Sequence, residues 1–421
     1  MDSDKRTESR RAIEALRAGV PNQDAVNALG SSQPELEKTF RERLEAACGG
    51  FQNSQQSNGM LVTGDFGSGK SHLLEYFKHI ALEENFVCSK IVISKETPLY
   101  HPAKVYRSAI ESAVVPDRRG TALSEITTRL NFESEAYTGF YKWVHSSDAG
   151  LNTQFAATVF LFEYAKGNDE LRDRIIRFWS GDPITMSELK RYLKETGEAA
   201  SYKIDRTSVR ELAQQRYSFI PHLMVAAGYS GWVLLIDEAE LIGRYSLRQR
   251  ARSYAELARF LGKLEGAGLP GLFSVFTMSG DFESAVLDYR NDEEKIPAKF
   301  RGAGNPDDSL MASQAERGMR LIRQEKLPLE RLNLDKIKQT HEVLRSVYHM
   351  AYGWEPPAEY TVPDTTARIR QHVKRWITEW DLKRFYPDYR SDIEISQLKQ
   401  DYEESPDMEQ PDEETVETQE N

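Results

Sequence analysis

The run Gly64-Asp65-Phe66-Gly67-Ser68-Gly69-Lys70-Ser71 has the spacing G-x-x-x-x-G-K-S. A polyphosphate needs several backbone N–H groups turned inward, and glycines let the chain curl tightly enough to supply them. A helix starting at Ser71 offers its positive end to the same anion. In that reading Lys70 reaches the β- and γ-phosphates of ATP and the Ser71 hydroxyl is a ligand for Mg2+. His72 comes next, as a helix residue beside the nucleotide and not as a catalyst. A glycine-rich turn can arise by chance. Here the strand-like run 60–63 precedes it, and a helix with Leu73, Leu74, Phe77, Ile80 and Ala81 on one face follows it.

Residues 232–238, Trp-Val-Leu-Leu-Ile-Asp-Glu, form a second chemical signal. A continuous apolar run of this length predicts a strand buried on both faces of a parallel sheet. Ligands of such sheets sit beyond the C-terminal strand ends. Asp237 is therefore expected to hold Mg2+, directly or through water, and Glu238 to polarise a water for attack on the γ-phosphate. The plainer reading is a strand that ends at solvent with two charges. Residues 272–278 predict a further buried strand, and Thr277 or Ser279 at its end is a candidate contact for the γ-phosphate or the attacking water; a merely polar strand end is the alternative. The expected catalytic set is Lys70, Asp237, Glu238 and Ser279.

The elements that must carry these groups are legible in outline. Ile13, Leu16 and Val20 predict a first helix over 9–20, and Ser31-Ser32-Gln33-Pro34 opens a second over about 34–47. Residues 86–93 read as another strand. From about 100 to 225 the pattern is helical, broken at Gly120, Gly150, Gly181 and Gly197. After Pro306 it is helical again to about 385, where Ile369, Val373, Trp376, Ile377 and Trp380 recur at helical spacing. Strands alternating with helices predict an α/β fold with a parallel sheet.

The composition excludes several classes. No apolar run approaches the roughly 20 residues of a membrane-spanning helix, and the N-terminus lacks an apolar signal segment. Two cysteines, Cys48 and Cys88, with no CxxC and no His/Cys cluster argue against structural zinc and for a reducing cytoplasm. The net charge is −11, but residues 401–421 hold ten acidic residues and no Lys or Arg, so the rest of the chain is near −1. That tail has almost nothing to bury and is expected to be disordered, as a solubilising end or an interaction segment.

Taken together, the loop and the two strand ends resemble an AAA+-type P-loop ATPase of the branch that includes origin-recognition and STAND proteins. Asp237-Glu238-Ala239-Glu240 is similar to its Walker B segment, 272–279 to its sensor-1 strand, and 318–348 to the first helices of its lid. A resemblance over nearly the whole chain is closer. The stretches RRAIEALRAGVPN, GDFGSGKSHLLEYFKHIAL, VISKETPLYHPAKVYRSAIESAVVPDRRG, LLIDEAELIGRYSLRQRARSYAEL and AYGWEPP resemble the BREX system ATP-binding family. BREX is a prokaryotic anti-phage system that combines methylation of host DNA with phage exclusion. The length suits the family's short, BrxD-like branch. The resemblance implies an ATP-hydrolysing defence protein that works with other BREX proteins. One departure from ordinary AAA+ modules is that 167 residues separate Lys70 from Asp237, which implies a helical insertion. The expected organisation is a helical N-terminal segment (1–30), a P-loop ATPase domain (31–310) with the insertion at about 100–225, a helical lid (311–395) and an acidic tail (396–421).

Arg244, Arg248, Arg250 and Arg252 crowd the segment after Glu238. One of them, with Arg248 the leading candidate, could meet a neighbour's ATP as an arginine finger; they could also face DNA or form a solvated face. Arg301 is the second finger candidate. Arg368, Arg370, Lys374 and Arg375 lie off the apolar stripe of the late helix and suit phosphate contact with double-stranded DNA, or plain solvation. Two functional readings follow. One is a DNA-associated motor or switch that forms a homo-oligomer with ATP. The other is a slow nucleotide-dependent regulator that gates partner assembly without acting on DNA. A small-molecule kinase is weaker, because no acceptor motif is recognisable.

Overall fold

The computed structural model describes residues 2–389, apart from 20–21, 51–55, 117–119, 166, 199, 303, 331–332 and 359–368. The acidic tail, Val20 and Arg368 lie outside the described residues. Five strands, β1 (Met60–Thr63), β2 (Val87–Val92), β3 (Trp232–Asp237), β4 (Leu272–Met278) and β5 (Lys326–Pro328), form one sheet in the order β2-β3-β4-β1-β5. Every pairing is parallel. β3 and β4 are buried along their whole length, as their mainly apolar sequences suit. The register pairs Thr63 with Met278 and Val92 with Asp237, so the C-terminal strand ends line one edge. Gly231, at φ 144°, leads into β3; a Cβ there would come within 2.5 Å of the Gly271 carbonyl, so a side chain has no room.

Helices cover both faces. On one, α3 (Pro34–Gly50) and α4 (Lys70–Glu83) pack on the sheet, with Phe40 stacked on Phe77 at 4.1 Å. α1 (Asp2–Ala18) and α2 (Gln23–Leu29) precede them. The chain between β2 and β3 is helical, as the spacing predicts. It runs through α5 (Pro102–Glu111), α6 (Ala122–Thr128), α7 (Glu135–Val144), α8 (Thr153–Tyr164), α9 (Asp169–Ser180), α10 (Met186–Glu195) and α11 (Val209–Ala226). Its core is aromatic, with Phe155 and Trp179 both packed on Phe219. That core is continuous with the other sheet face and with α12 (Leu247–Phe260), α13 (Asp292–Arg301) and α14 (Pro306–Gln324). α14 crosses α12 closely at Gly318, where a Cβ would fall 2.0 Å from the Tyr254 carbonyl.

Two readings need correction. The segment after Pro306 is not continuously helical: β5 interrupts it between α14 and α15 (Leu334–Tyr352). β5 is a three-residue edge strand ending in proline, a residue that edges tolerate because no inner ladder needs its missing N–H. The N-terminal helix also does not stand apart. Ala12, Ile13 and Leu16 of α1 pack with α15 and with Val373, Trp376 and Ile377 of α16 (Ile369–Phe385). Arg17 pairs with Asp381 at 2.9 Å and Arg10 donates to the Ala351 carbonyl at 2.9 Å, closing this unit across the whole length of the chain. Among the described residues no helix is long and apolar enough to cross a membrane.

Candidate functional site

β1 runs into the glycine-rich loop, and α4 begins at Lys70. Gly67 (φ 77°) and Gly69 (φ 105°) take the left-handed conformations that other residues adopt only under strain. The Lys70 ammonium is buried and donates to the Gly64 carbonyl at 2.7 Å and the Asp65 carbonyl at 3.2 Å. Burial pushes its pKa down, while Glu240, Asp237, Asp65 and Glu238 act in the opposite direction. Ser71 follows in the first turn of α4.

β3 delivers Asp237 and Glu238 to the same edge. Asp237 is buried, and its Oδ1 accepts from the Glu238 N–H at 3.1 Å and from the Thr277 hydroxyl at 2.5 Å. Glu238 stands in the left-handed region at φ 59°. That costs a non-glycine residue about 1 kcal/mol, and such strain gathers at functional sites. Burial, then the like charges of Asp237 and Glu240, push the Glu238 carboxyl upward; Lys70 and Arg370 oppose them. Of the two candidates at the end of β4, Thr277 is the one joined to Asp237. The Ser279 hydroxyl donates to Asp281 at 2.5 Å. A Cβ on Gly280 would come 3.2 Å from Asp65 Oδ1, so the turn after β4 lies against the loop that contains Phe66 and Ser68.

Beside the loop is a pocket whose walls come from distant parts of the chain. Ser68, Gly69 and His72 form one wall, residues 29–33 a second, and Leu329 with Ile369, Arg370 and Val373 a third. The His72 ring donates through Nε2 to the Gly30 carbonyl at 2.9 Å, and burial depresses its pKa. His72 thus ties α4 to the N-terminal strap rather than offering its ring to a phosphate.

The arginine expectations divide. Arg248 forms a bidentate pair with Asp308 at 2.8 and 3.0 Å and lies over the Phe300 ring. Arg250 is buried in a bidentate pair with buried Asp292, at 2.8 Å on both contacts, and also donates to the Tyr245 carbonyl. Its burial removes it as a finger or a DNA contact. Arg301, half-exposed, pairs with Glu316 at 2.5 Å. Arg370, assigned above to a DNA-facing or solvated surface, instead lines the pocket, and its charge reaches Glu238. Two participants therefore escaped the sequence reading. Glu240, almost wholly buried, leads the four carboxylates acting on Lys70; its signal was the fourth letter of the acidic motif. Arg370 was visible as a basic position, but its direction depends on how α16 docks.

Ser71 and Asp237 bring hard oxygen donors to one edge, the kind Mg2+ takes. Among the described residues no three His, Cys, Asp or Glu side chains form a ready-made metal cage. Residues 5–138 and 144–377 match the model of a family described as BREX system ATP-binding protein BrxC/D. No curated protein matches the chain.

Proposed function

The chain belongs to the BREX system ATP-binding protein BrxC/D family, and from that premise we propose that it binds ATP at the C-terminal edge of its sheet and hydrolyses it. The observation that carries this reading is the electrostatic coupling of Lys70, Asp237 and Glu238 at one edge of the sheet, beside a pocket lined by Ser68 and Gly69 of the glycine-rich loop and by Arg370. Backbone N–H groups of 64–71 and the start of α4 would hold the phosphates. Lys70 would leave its loop carbonyls for phosphate oxygens. Ser71 and Asp237 would hold Mg2+, which supplies charge neutralisation at the β- and γ-phosphates. Thr277 fixes the Asp237 carboxylate. Glu238, pushed toward a higher pKa, suits accepting a proton from an attacking water. The apolar side of the pocket would take the nucleoside.

Two finer roles are compatible with this chemistry. As a motor, the protein would self-associate with ATP and act on double-stranded DNA. As a switch, it would turn over slowly and gate the assembly of other BREX proteins. The internal pairing of Arg248 and Arg250 and the placement of Arg370 at the pocket favour the switch, because they leave less charge for DNA. Arg370 also gives the chain a cation of its own at the site, so turnover need not wait for a neighbour's arginine. ATP turnover measured with and without double-stranded DNA, alongside sedimentation with ATP, separates the roles. Slow turnover that DNA leaves unchanged supports the switch; strong stimulation by DNA, with ATP-dependent assembly, supports the motor. No ATP binding at all would overturn the proposal.

A further inference from the structure

A cleft of about 580 Å3 opens in the insertion between α7 and α8, and it shares no wall with the nucleotide pocket. A spacing of four residues puts Tyr137 and Tyr141 on one face of α7, and Phe160 and Tyr164 on one face of α8. Phe132, from the turn before α7, meets Tyr137 edge-on at 4.9 Å, and Phe160 and Tyr164 lie nearly parallel at 6.3 Å. Five rings therefore line one cleft, and Tyr164 is 59% exposed there. Glu163 stands among them. Its carboxylate accepts from the Tyr137 hydroxyl at 3.3 Å, and its charge acts on both Tyr137 and Tyr141. From Phe132 to Tyr164, the first and last residues of the lining, the sequence holds four acidic residues and one lysine, Lys142, which also borders the cleft.

Aromatic faces are negative and attract cations, and a carboxylate beside them adds a charge-assisted hydrogen bond. A nucleic-acid strand also stacks on rings, but it needs a positive groove to meet its phosphates; the excess of acid here works against that. A guanidinium fits better than an ammonium, because it is planar, stacks on rings and donates in pairs to a carboxylate. We infer that this cleft is a docking site for an arginine side chain presented by another protein. The rings of Tyr141, Phe160 and Tyr164 supply the stacking faces, and Glu163, held in place by the Tyr137 hydroxyl, supplies the charge. Tyrosine and arginine are the residue types in which protein interfaces concentrate their affinity. The insertion thereby gains a role of its own, separate from the nucleotide site.

Fluorine NMR of the full chain with Tyr164→fluorotyrosine tests it. The label reports this cleft and not the acidic residues 401–421, which attract any cation. A glycine peptide with one central arginine is titrated in, beside the same peptide with neutral citrulline in its place. The arginine peptide should shift the resonance saturably and bind at least about tenfold more tightly than the citrulline peptide. Glu163→Gln keeps the size of the side chain and an acceptor for Tyr137, and should weaken the arginine peptide about tenfold, the scale of one hydrogen bond to a charged group. A resonance that the arginine peptide does not move, equal affinity for the two peptides, or unchanged arginine affinity in Glu163→Gln overturns the inference. So does a shift driven by a single-stranded oligonucleotide, which would make the cleft a base-stacking surface instead.

Discussion

Two neighbouring stretches carry dense charge and come to opposite ends. In 237–240 three carboxylates, Asp237, Glu238 and Glu240, gather at the strand end; the cations that act on Glu238, Lys70 and Arg370, stand on other elements that border the pocket. In 248–250 each arginine finds a carboxylate within the fold: Arg248 meets Asp308, and Arg250 meets Asp292 deep in the core. The first arrangement leaves Glu238 exposed at the strand end, where a ligand can change its balance. The second completes that balance internally, and the charge becomes part of the packing. Both stretches are densely charged in sequence, with opposite sign; the difference is whether that charge is paired within the core or left at the strand end.

The strongest way to break this contrast is at its open end. Lys70→Ala should abolish nucleotide binding while circular dichroism and the melting transition stay close to wild type. Wild-type affinity and rate in that variant would remove the active half of the comparison. At the closed end, Asp292→Ala leaves the Arg250 guanidinium buried without its partner. Such a loss costs about 3–5 kcal/mol, measurable by chemical denaturation, whereas replacing both partners with apolar residues of similar volume should cost far less. A near-neutral Asp292→Ala would mean that the pair is hydrated or dispensable.

A buried group with no charge of its own sharpens the comparison. His222 stacks on Trp143 at 3.5 Å in the insertion, and burial holds its pKa down to about 4, against an ordinary 6.5. Between those values the unfolded chain binds a proton that the folded chain does not. Stability should therefore fall as the pH drops from about 6.5 toward 4, by up to about 3 kcal/mol, and His222→Phe should flatten that part of the profile. The smallest effect is expected at Arg301, whose half-exposed pair with Glu316 is worth within about 1 kcal/mol. Arg301→Ala should also leave turnover unchanged. A tenfold loss, restored by mixing with Lys70→Ala protein, would show it acting on a neighbour's site.

The strands at 60–63, 232–237 and 272–278 were legible because each is a mainly apolar run, the pattern of a strand covered on both faces. β5 was not, because three residues, Lys-Leu-Pro, carry no periodicity; only pairing with β1 makes them a strand. The apolar stripes of α1 and α16 were both visible, at Ile13 and Leu16 and at Val373 and Trp376, but nothing local says that they face each other. The same docking turns Arg370 into the pocket, so its place could not be read from its neighbours in sequence. A polar strand end does not reveal which hydroxyl meets which carboxylate: Thr277 holds Asp237, and Ser279 holds Asp281.

Glu238→Gln bears most directly on the central claim, that the carboxylates at the end of β3 form a hydrolytic site for ATP. The change keeps size and hydrogen bonding but removes the charge that accepts a proton. ATP binding should persist while turnover falls by about 10²-fold or more. The nucleotide-free protein should also melt higher. A carboxyl whose pKa is raised by burial and by Asp237 and Glu240 favours the fold when protonated at low pH, and loses that contribution as pH rises through its folded value. At neutral pH the neutral amide is therefore the better occupant. Tight ATP binding, slow turnover and a raised melting temperature together are the expected result; wild-type turnover by Glu238→Gln would contradict the account.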